Sequence, residues 1–555
     1  MQEAPQRPFR KVFCIGLDGA TFDVIDPMIE QGRLPTLSRL LAGGARGSLA
    51  STVPPLSAPA WVTFMTGENP GRHGIYHFRA MAQGALGSGL MGSWAYRGRT
   101  IFDHASRAGL KVTAFRVPMT YPPWPINGVM VAGFPTPDSR TTYASPPEIA
   151  EQVGPLMQLS PVKSMVASPE VQAEDYDYYL ARSTEALVEL AKDREADFFC
   201  YVNSLTDWIA HKFWRFDDPK APGFDPEAPQ NGLLHKFYEK TDASLGALLE
   251  EAPSDALVVV MSDHGTGPRT QRRFNTNAWL TSVGMMTPAR VRGKLFLSMV
   301  VSRVKKAVPN KTSMKQWLWE QVPPLRGMLR KSAGGLSSYG RGMDCSRSKA
   351  YRMSFHDQVE GVNINLMGRE PEGIVPPADY ERERDNLIRA ARAAVDPDTG
   401  KGVFQEVFKR EELYEGDHAD SAPDVILVLK PVFEFGLGSG NQIFSTVSAT
   451  RLMRSSATHR PEGILGIAGP EVVPGELQDA RLMDVPATLL WALGLPIPPN
   501  VDGRVLTEAF NPELVAQWPI RLGEGETLPP APAGAAYTSE EEQQLAAHLE
   551  DLGYI

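Results

Sequence analysis

An α/β fold is predicted, with a doubly wound, mostly parallel sheet, helices on both faces and an inserted helical cap. Three observations carry that expectation. Apolar runs of strand length recur along the chain, and helical patterns separate many of them. Several of these runs end abruptly in an acidic residue next to Gly or His, at the strand edge where open α/β sheets bind ligands.

The strand-like runs are Lys11–Leu17, Lys111–Val117, Gly128–Gly133, Asp197–Asn203, Ala256–Ser262, Pro423–Leu429 and Gly463–Ala468. Each is a near-continuous apolar stretch, as expected of strands buried on both faces. Helical patterns fall at Thr184–Lys192 and Leu234–Leu249. The pattern divides the chain into a first core segment (1–289), a basic helical insertion or cap (290–349), a second core segment (350–510) and a linker with a last helix (511–555). Within the insertion, residues 290–331 carry 11 Lys/Arg and a single acid, Glu320, interleaved with apolar residues such as Phe296, Trp317 and Trp319. A lid with a solvated basic face is the expected form, and peripheral contact with an anionic membrane is the alternative. The linker at Gly523–Ala536 is rich in Pro, Gly and Ala. Ser539 and Glu542 have capping-box spacing at the start of the last helix.

Composition narrows the function classes. The chain has 555 residues, 42% hydrophobic and 22% charged, with a net charge of −9. That length suits a large α/β core with insertions. The negative charge argues against nucleic acid as a partner. Three scattered cysteines, Cys14, Cys200 and Cys345, show no CxxC spacing, so no disulfide framework is expected. Neither a signal-like apolar region nor a run of about 18 apolar residues is present, and a soluble cytoplasmic protein is the expectation. The sequence sets no oligomeric state.

The strand ends hold the residues that carry chemistry. The run at Ala256 ends in Asp263-His264-Gly, a carboxylate and an imidazole side by side, both good ligands for a divalent ion. The first run ends in Asp18-Gly19. Capping or turn formation is the ordinary role of such an Asp. Ser57 precedes a helical stretch beginning near Pro59, where it would be the N-cap. The same place suits a nucleophile, because helix N-termini stabilise anions. After the run at Asp197 comes Asp207-x-x-x-His211. The spacing puts both side chains on one helical face, for a shared ion or a simple Asp–His hydrogen bond. His459 lies just before the run at Gly463. Together these residues make two sets: Asp207, His211 and His459; and Asp18, Asp263, His264 and the Ser57 oxygen. Two divalent ions against three carboxylates leave one positive charge, which suits a phosphodiester anion.

The order Asp18, Ser57, Asp207-x-x-x-His211, Asp263-His264, His459 resembles the alkaline phosphatase superfamily, and within it the type I phosphodiesterase/nucleotide pyrophosphatase family. The resemblance spans roughly residues 11–290 and 350–510, and the stretch from Ser57 through Thr66-Gly67 to His73-Gly74-Ile75 keeps the family's spacing. It implies a two-metal hydrolase of small phosphate esters, phosphodiester or pyrophosphate bonds included, with nucleotide-like substrates within range. The ions are commonly zinc, with manganese an alternative. The first set would hold one ion and the second set the other. Ser57 would attack phosphorus and form a phosphoseryl intermediate. The chain departs from the family in two places. Ser57 stands where Thr is common, Phe78 stands where an Asn contacts the phosphoryl group, and His77 beside it is a candidate substitute donor. In related sulfatases the segment Ser57-Ala-Pro-Ala-Trp61 carries an Arg at its last position.

Arg272 and Arg273, shortly after the Asp263 loop, are read either as a solvated basic pair or as further candidates for substrate binding, as a phosphate clamp. His356 is a candidate substrate contact. A sulfatase-like hydrolase or phosphomutase of the same superfamily is the nearest rival. A non-catalytic, metal-stabilised protein that binds membrane surfaces through 290–331 is the rival of another class.

Overall fold

The computed structural model describes residues 6–82, 85–137, 143–154, 168–192, 196–289, 342–436, 442–524, 537–552 and Tyr554. The basic segment 290–331, the rest of the expected cap to 341, and the linker residues 525–536 lie outside them.

The elements that build the site, in chain order, are β1 (Val12–Leu17), β2 (Ala45–Ala50), α1 (Ser57–Thr66), β3 (Val112–Val117), β4 (Gly128–Ala132), β5 (Phe198–Asn203), α2 (Leu205–Phe213), β6 (Leu257–Met261), β7 (Gly265–Pro268), β8 (Ala350–Ser354), β9 (Val359–Ile364), α3 (Tyr380–Arg392), β10 (Phe404–Lys409), β11 (Val425–Leu429), β12 (Ala457–Arg460), β13 (Glu462–Ala468) and α4 (Ser539–Leu552). The central sheet runs β2-β13-β6-β1-β5-β3-β4, with the short strands Gly475–Glu476 and Ala144–Ser145 at its two ends. Strands β6, β1, β5, β3 and β4 are parallel neighbours. All six residues of β1, β3 and β5 are buried, as the unbroken apolar runs require of strands covered on both faces. Cys14 and Cys200 face each other in the β1–β5 register as buried free thiols. The expected helices are present and longer than their patterns, at Pro169–Ala191 and Leu233–Glu251.

Besides the short edge strand Ala144–Ser145, antiparallel to β4, one strand runs the other way. β13 pairs antiparallel with both β6 and β2. Its first residue therefore lies at the edge where the parallel strands end. β2 in turn ends at that edge, with Ala50 opposite Glu462. This reversal brings the loops after β1, β2, β5 and β6, and the loop before β13, to one side of the sheet.

The expectation that the main sheet resumes near Ala350 is not met. β8, β9, β11 and β10 form a separate four-stranded antiparallel sheet, in that order, which includes the run expected at Pro423–Leu429. It has its own apolar core, to which Leu387, Ile388 and Ala391 of α3 contribute, and a smaller cluster around Tyr76, Phe355 and Ile426. Burial on both faces gives β11 the same apolar run that a central parallel strand would have, so its sequence does not distinguish the two sheets. The chain rejoins the central sheet only at β13.

Two smaller expectations shift by a residue. α1 starts at Ser57 with Leu56 as its N-cap, so Ser57 is the first helical residue. At α4 the capping box is formed by Thr538 and Glu541: Glu541 N–H donates to Thr538 Oγ1 (3.2 Å), and Thr538 N–H donates to Glu541 Oε2 (2.8 Å). Glu542 instead accepts from Leu90 N–H (3.1 Å).

Gly16 on β1 shows how closely α1 sits on the sheet. A Cβ there would lie 2.4 Å from the Trp61 ring and 2.9 Å from Val202. Gly16→Ala should therefore push Trp61 away and destabilise the chain by about 1–3 kcal/mol, the range for overpacking. Urea unfolding of the two proteins measures this, and an unchanged midpoint would show that the ring can move freely.

Candidate metal centre

Asp18 follows β1 directly, and Asp263 and His264 follow β6 after one residue. The turn after Asp18 uses Gly19 in the left-handed region (φ 66°), where a Cβ would meet Thr266 Oγ1 at 2.7 Å and Asp207 Oδ1 at 2.9 Å. Hydroxyls tie these loops together. Thr206 donates to Asp18 O (2.6 Å), Thr266 to Gly19 O (2.7 Å) and Ser262 to Ala20 O (3.0 Å). Asp207 and His211 lie one turn apart on α2. His459 lies on β12, which pairs antiparallel with β7 and sets His459 opposite Thr266. The ribbon stacks the His459 ring on His264, with centroids 3.8 Å apart.

Two ligand sets result. The donor atoms of Asp207, His211 and His459 lie within 4.8 Å of one another, as do those of Asp18, Asp263 and His264. All six residues are buried. Asp207 Oδ1 is 3.3 Å from His211 Nε2 and 3.4 Å from His459 Nε2. His264 Nε2 is 3.6 Å from Asp18 Oδ1 and 3.3 Å from Asp263 Oδ2. Ser57 Oγ lies 3.2 Å from the same His264 Nε2. The predicted nucleophile and six predicted ligands thus meet in one buried cluster.

The chemistry of these atoms fits divalent ions. Asp18 Oδ1, Asp207 Oδ1 and Asp263 Oδ2 are buried acceptors with no hydrogen-bond partner, and they are the oxygens that face the imidazoles. Buried polar atoms are otherwise nearly always paired. Each imidazole turns Nδ1 to a backbone carbonyl: His211 to Ala457 O (3.0 Å), His264 to Gly265 O (3.0 Å) and His459 to Pro55 O (2.9 Å). A carbonyl only accepts, so these contacts assign the proton to Nδ1 and leave a lone pair on Nε2. His211 Nε2 and His459 Nε2 stand 3.0 Å apart, lone pair to lone pair, a contact that a cation between them would relieve. Burial lowers His264 and His459 to about 4, which keeps both neutral and ready to ligate at pH 7.

The carboxylates carry the complementary signal. Burial, then Asp263 and Asp207 nearby, pushes Asp18 well above the usual range. Burial and the Asp207 charge push Asp263 up to about 7. Burial opposes the charge on Asp207, but positive charge on His211 and His459 outweighs it and holds the group well below its ordinary value, a role that a metal ion would take beside the neutral imidazoles. Among the described residues, no Lys or Arg charge appears among the causes that act on Asp18 and Asp263.

The remaining predicted contacts are distributed differently. Arg272 forms ion pairs with Asp396 (2.6 Å) and Asp398 (2.7 Å), and Arg273 with Glu434 (2.8 Å). Both guanidiniums are thus engaged by acids from elsewhere in the chain. His77 is buried, and its Nδ1 accepts from Arg79 N–H (3.2 Å). Phe78 is buried in an aromatic cluster with Phe134 (5.9 Å) and Tyr554 (5.1 Å). His356 stacks on His459 at 4.8 Å. Three residues at the site were not read from the sequence as part of it. Trp61 Nε1 donates to Asp18 Oδ2 (3.1 Å), and its signal was available, one helical turn from Ser57. Arg269, ion-paired to Asp357 (2.6 Å) and Glu434 (2.7 Å), also donates to Ser455 Oγ (3.2 Å), which faces His211 Nδ1 (3.1 Å). Tyr554 donates to Asp207 Oδ2, and no local pattern announces it.

A family model for type I phosphodiesterase / nucleotide pyrophosphatase matches residues 12–461. The chain belongs to that family. It is accordingly a hydrolase of the alkaline phosphatase superfamily, in a metal-dependent family. Among solved structures it is similar to phosphonoacetate hydrolase from Sinorhizobium meliloti 1021 in complex with phosphonoacetate (16% identity, TM-score 0.48, covering 88% of this chain and 96% of that one). It is also similar to human ectonucleotide pyrophosphatase/phosphodiesterase 5 (11% identity, TM-score 0.46, covering 90% and 100%). Comparison with curated proteins gives no match. Among the described residues, no helix is long and apolar enough to cross a membrane.

Asp263 gives the metal-free protein a pH signature. Its folded value of about 7 lies above the ordinary 3.8, so the folded chain holds a proton that the unfolded chain has lost between those values. The contribution of Asp263 to the stability of the chelator-stripped protein should therefore fall as pH rises from 5 to 7, against the opposite contribution of the lowered His264 and His459 below about 6.5, and the slope lost in Asp263→Asn isolates it. The metal-loaded protein, with its carboxylates ionised and compensated, should lack that fall. Thermal melts of both forms across this window make the comparison, and parallel curves would count against an ion at Asp263.

Proposed function

We propose that this family member cleaves phosphodiester or pyrophosphate bonds of small molecules, nucleotide-like ones within range, with Ser57 as nucleophile and two divalent ions at the two ligand sets. The observation that carries the reading is the position of Ser57 Oγ, 3.2 Å from His264 Nε2 and at the first turn of α1, beside three unpartnered carboxylate oxygens. Asp207, His211 and His459 would hold one ion. Asp18, Asp263, His264 and Ser57 Oγ would hold the other. Three imidazole nitrogens among carboxylate oxygens suit zinc, with manganese as the alternative. Such ions would polarise the phosphoryl oxygens and lower the pKa of the Ser57 hydroxyl.

The chain's own residues then set the course of the reaction. Ser57 Oγ attacks phosphorus, a new O–P bond forms, and the bond to the leaving oxygen breaks. Water then cleaves the phosphoseryl bond and restores the hydroxyl. The N-terminus of α1 presents N–H groups and a positive dipole end at Ser57, and Leu56 at the N-cap offers no side-chain acceptor to occupy them. In place of the family's Asn, Phe78 is buried against Phe134 and Tyr554 and offers the phosphoryl group no polar donor.

Ser57→Ala should lower turnover at least about 10³-fold, on the scale seen when a nucleophile is removed, while both ions stay bound. Metal analysis and phosphate-ester kinetics on the same preparation test it, and near-normal turnover would exclude Ser57 as nucleophile. Rates on bis-p-nitrophenyl phosphate should exceed those on p-nitrophenyl phosphate and p-nitrophenyl sulfate. Faster sulfate hydrolysis would assign the chain to the sulfatase-like rival.

A further inference from the structure

Tyr554 reaches the centre from the far end of the sequence. Its carrier is α4, which is docked by buried Leu545 and Leu549 and by polar contacts to the core. Tyr121 OH donates to Glu541 Oε1 (3.2 Å), and Leu90 N–H donates to Glu542. Just before the helix, the Tyr537 ring stacks on Tyr121 (5.8 Å, 12°) and meets Trp94 edge-on (5.1 Å). After the helix, Tyr554 N–H closes onto Leu549 O (2.9 Å). The Tyr554 side chain then enters the site. Its ring is 6% exposed and lies against Phe78 (5.1 Å), Phe134 (5.8 Å), His459 (5.9 Å) and His211 (6.3 Å).

The hydroxyl donates to Asp207 Oδ2. The other oxygen, Oδ1, has no hydrogen bond and is the one that faces His211 Nε2 and His459 Nε2. A carboxylate tethered at one oxygen cannot swing the other away. Without the tyrosine hydroxyl, Oδ2 would become a second buried acceptor lacking a partner, and the carboxylate would be free to turn.

We propose that Tyr554 is a positioning residue of the centre, fixing Asp207 so that Oδ1 is presented to the ion of the first set. This rests on the two-ion reading given above. The wild-type chain and Tyr554→Phe would be titrated with zinc against a competing chelator, and their cobalt-loaded forms compared by visible absorption. His459→Ala serves as the reference for loss of the first ion. The expected result is about a 10-fold or greater loss of affinity for one ion, the scale for a removed outer partner. The second ion should be unaffected, and the cobalt bands that change should be those missing in His459→Ala. Equal affinities and spectra in the two proteins would overturn the proposal, as would an equal loss at both sites, which marks general loosening. A wild-type chain that binds no ion lost in His459→Ala would overturn the two-ion reading itself, and the two failures are therefore distinguishable.

Discussion

Negative charge confined without a counter-ion is the constraint around which the rest of the site is arranged. Asp18, Asp207 and Asp263 are each at most 2% exposed. Burying ionised carboxylates is costly unless cations or several donors compensate them. Asp207 finds partial compensation in His211 and His459, and its affinity for protons falls. Asp18 and Asp263, each held by a single neutral donor, are outweighed by burial and by the neighbouring carboxylates, and theirs rise. A fold that carries such a cluster is incomplete without added positive charge, which explains why three of its oxygens lack partners while their surroundings are densely hydrogen-bonded.

Topology determines where that charge gathers. Parallel strands alone would deliver the ends of β1, β5 and β6 to one edge. Ser57 and His459 need the antiparallel β13, which turns its preceding segment back to that edge and aligns β2 beside it. The β7–β12 ribbon then carries His459 across to His264. Residues outside the central sheet contribute as well: His356 stacks on His459, and Asp357 and Glu434 hold Arg269 behind His211.

The parts visible in the sequence are those fixed by local pattern. An apolar run ending in an acid marks a strand end whatever the strand's neighbours, so Asp18 and Asp263 could be placed before the sheet was known. Asp207 and His211 follow from helical spacing. What local pattern cannot carry is pairing. β11 reads as a central strand because it is buried on both faces, yet it belongs to the antiparallel sheet. Arg272 and Arg273 read as a free basic pair because Asp396, Asp398 and Glu434, which hold them, are more than a hundred residues away. Tyr554 is the extreme case. It lies 347 residues from Asp207, and only the docking of α4 brings the two together.

The ligands follow a common rule that gives Tyr554 its meaning. Each carboxylate has one oxygen held by a neutral donor: Asp18 by Trp61 Nε1–H, Asp263 by Gly19 N–H and Asp207 by Tyr554 OH. Each imidazole has Nδ1–H held by a backbone carbonyl. In all six, one atom is tethered outward and the other faces the centre, where Ser57 Oγ meets His264 Nε2. The neutrality of the donors matters. A Lys or Arg in the place of Trp61 or Tyr554 would also orient the carboxylate, but its charge would compete with the cation that the bare oxygen is there to meet. Neutral N–H and O–H groups fix direction while leaving the charge unspent. Outer contacts of this kind keep the ligand geometry in place before any ion arrives, and hold Ser57, at His264 Nε2, in register with both sets.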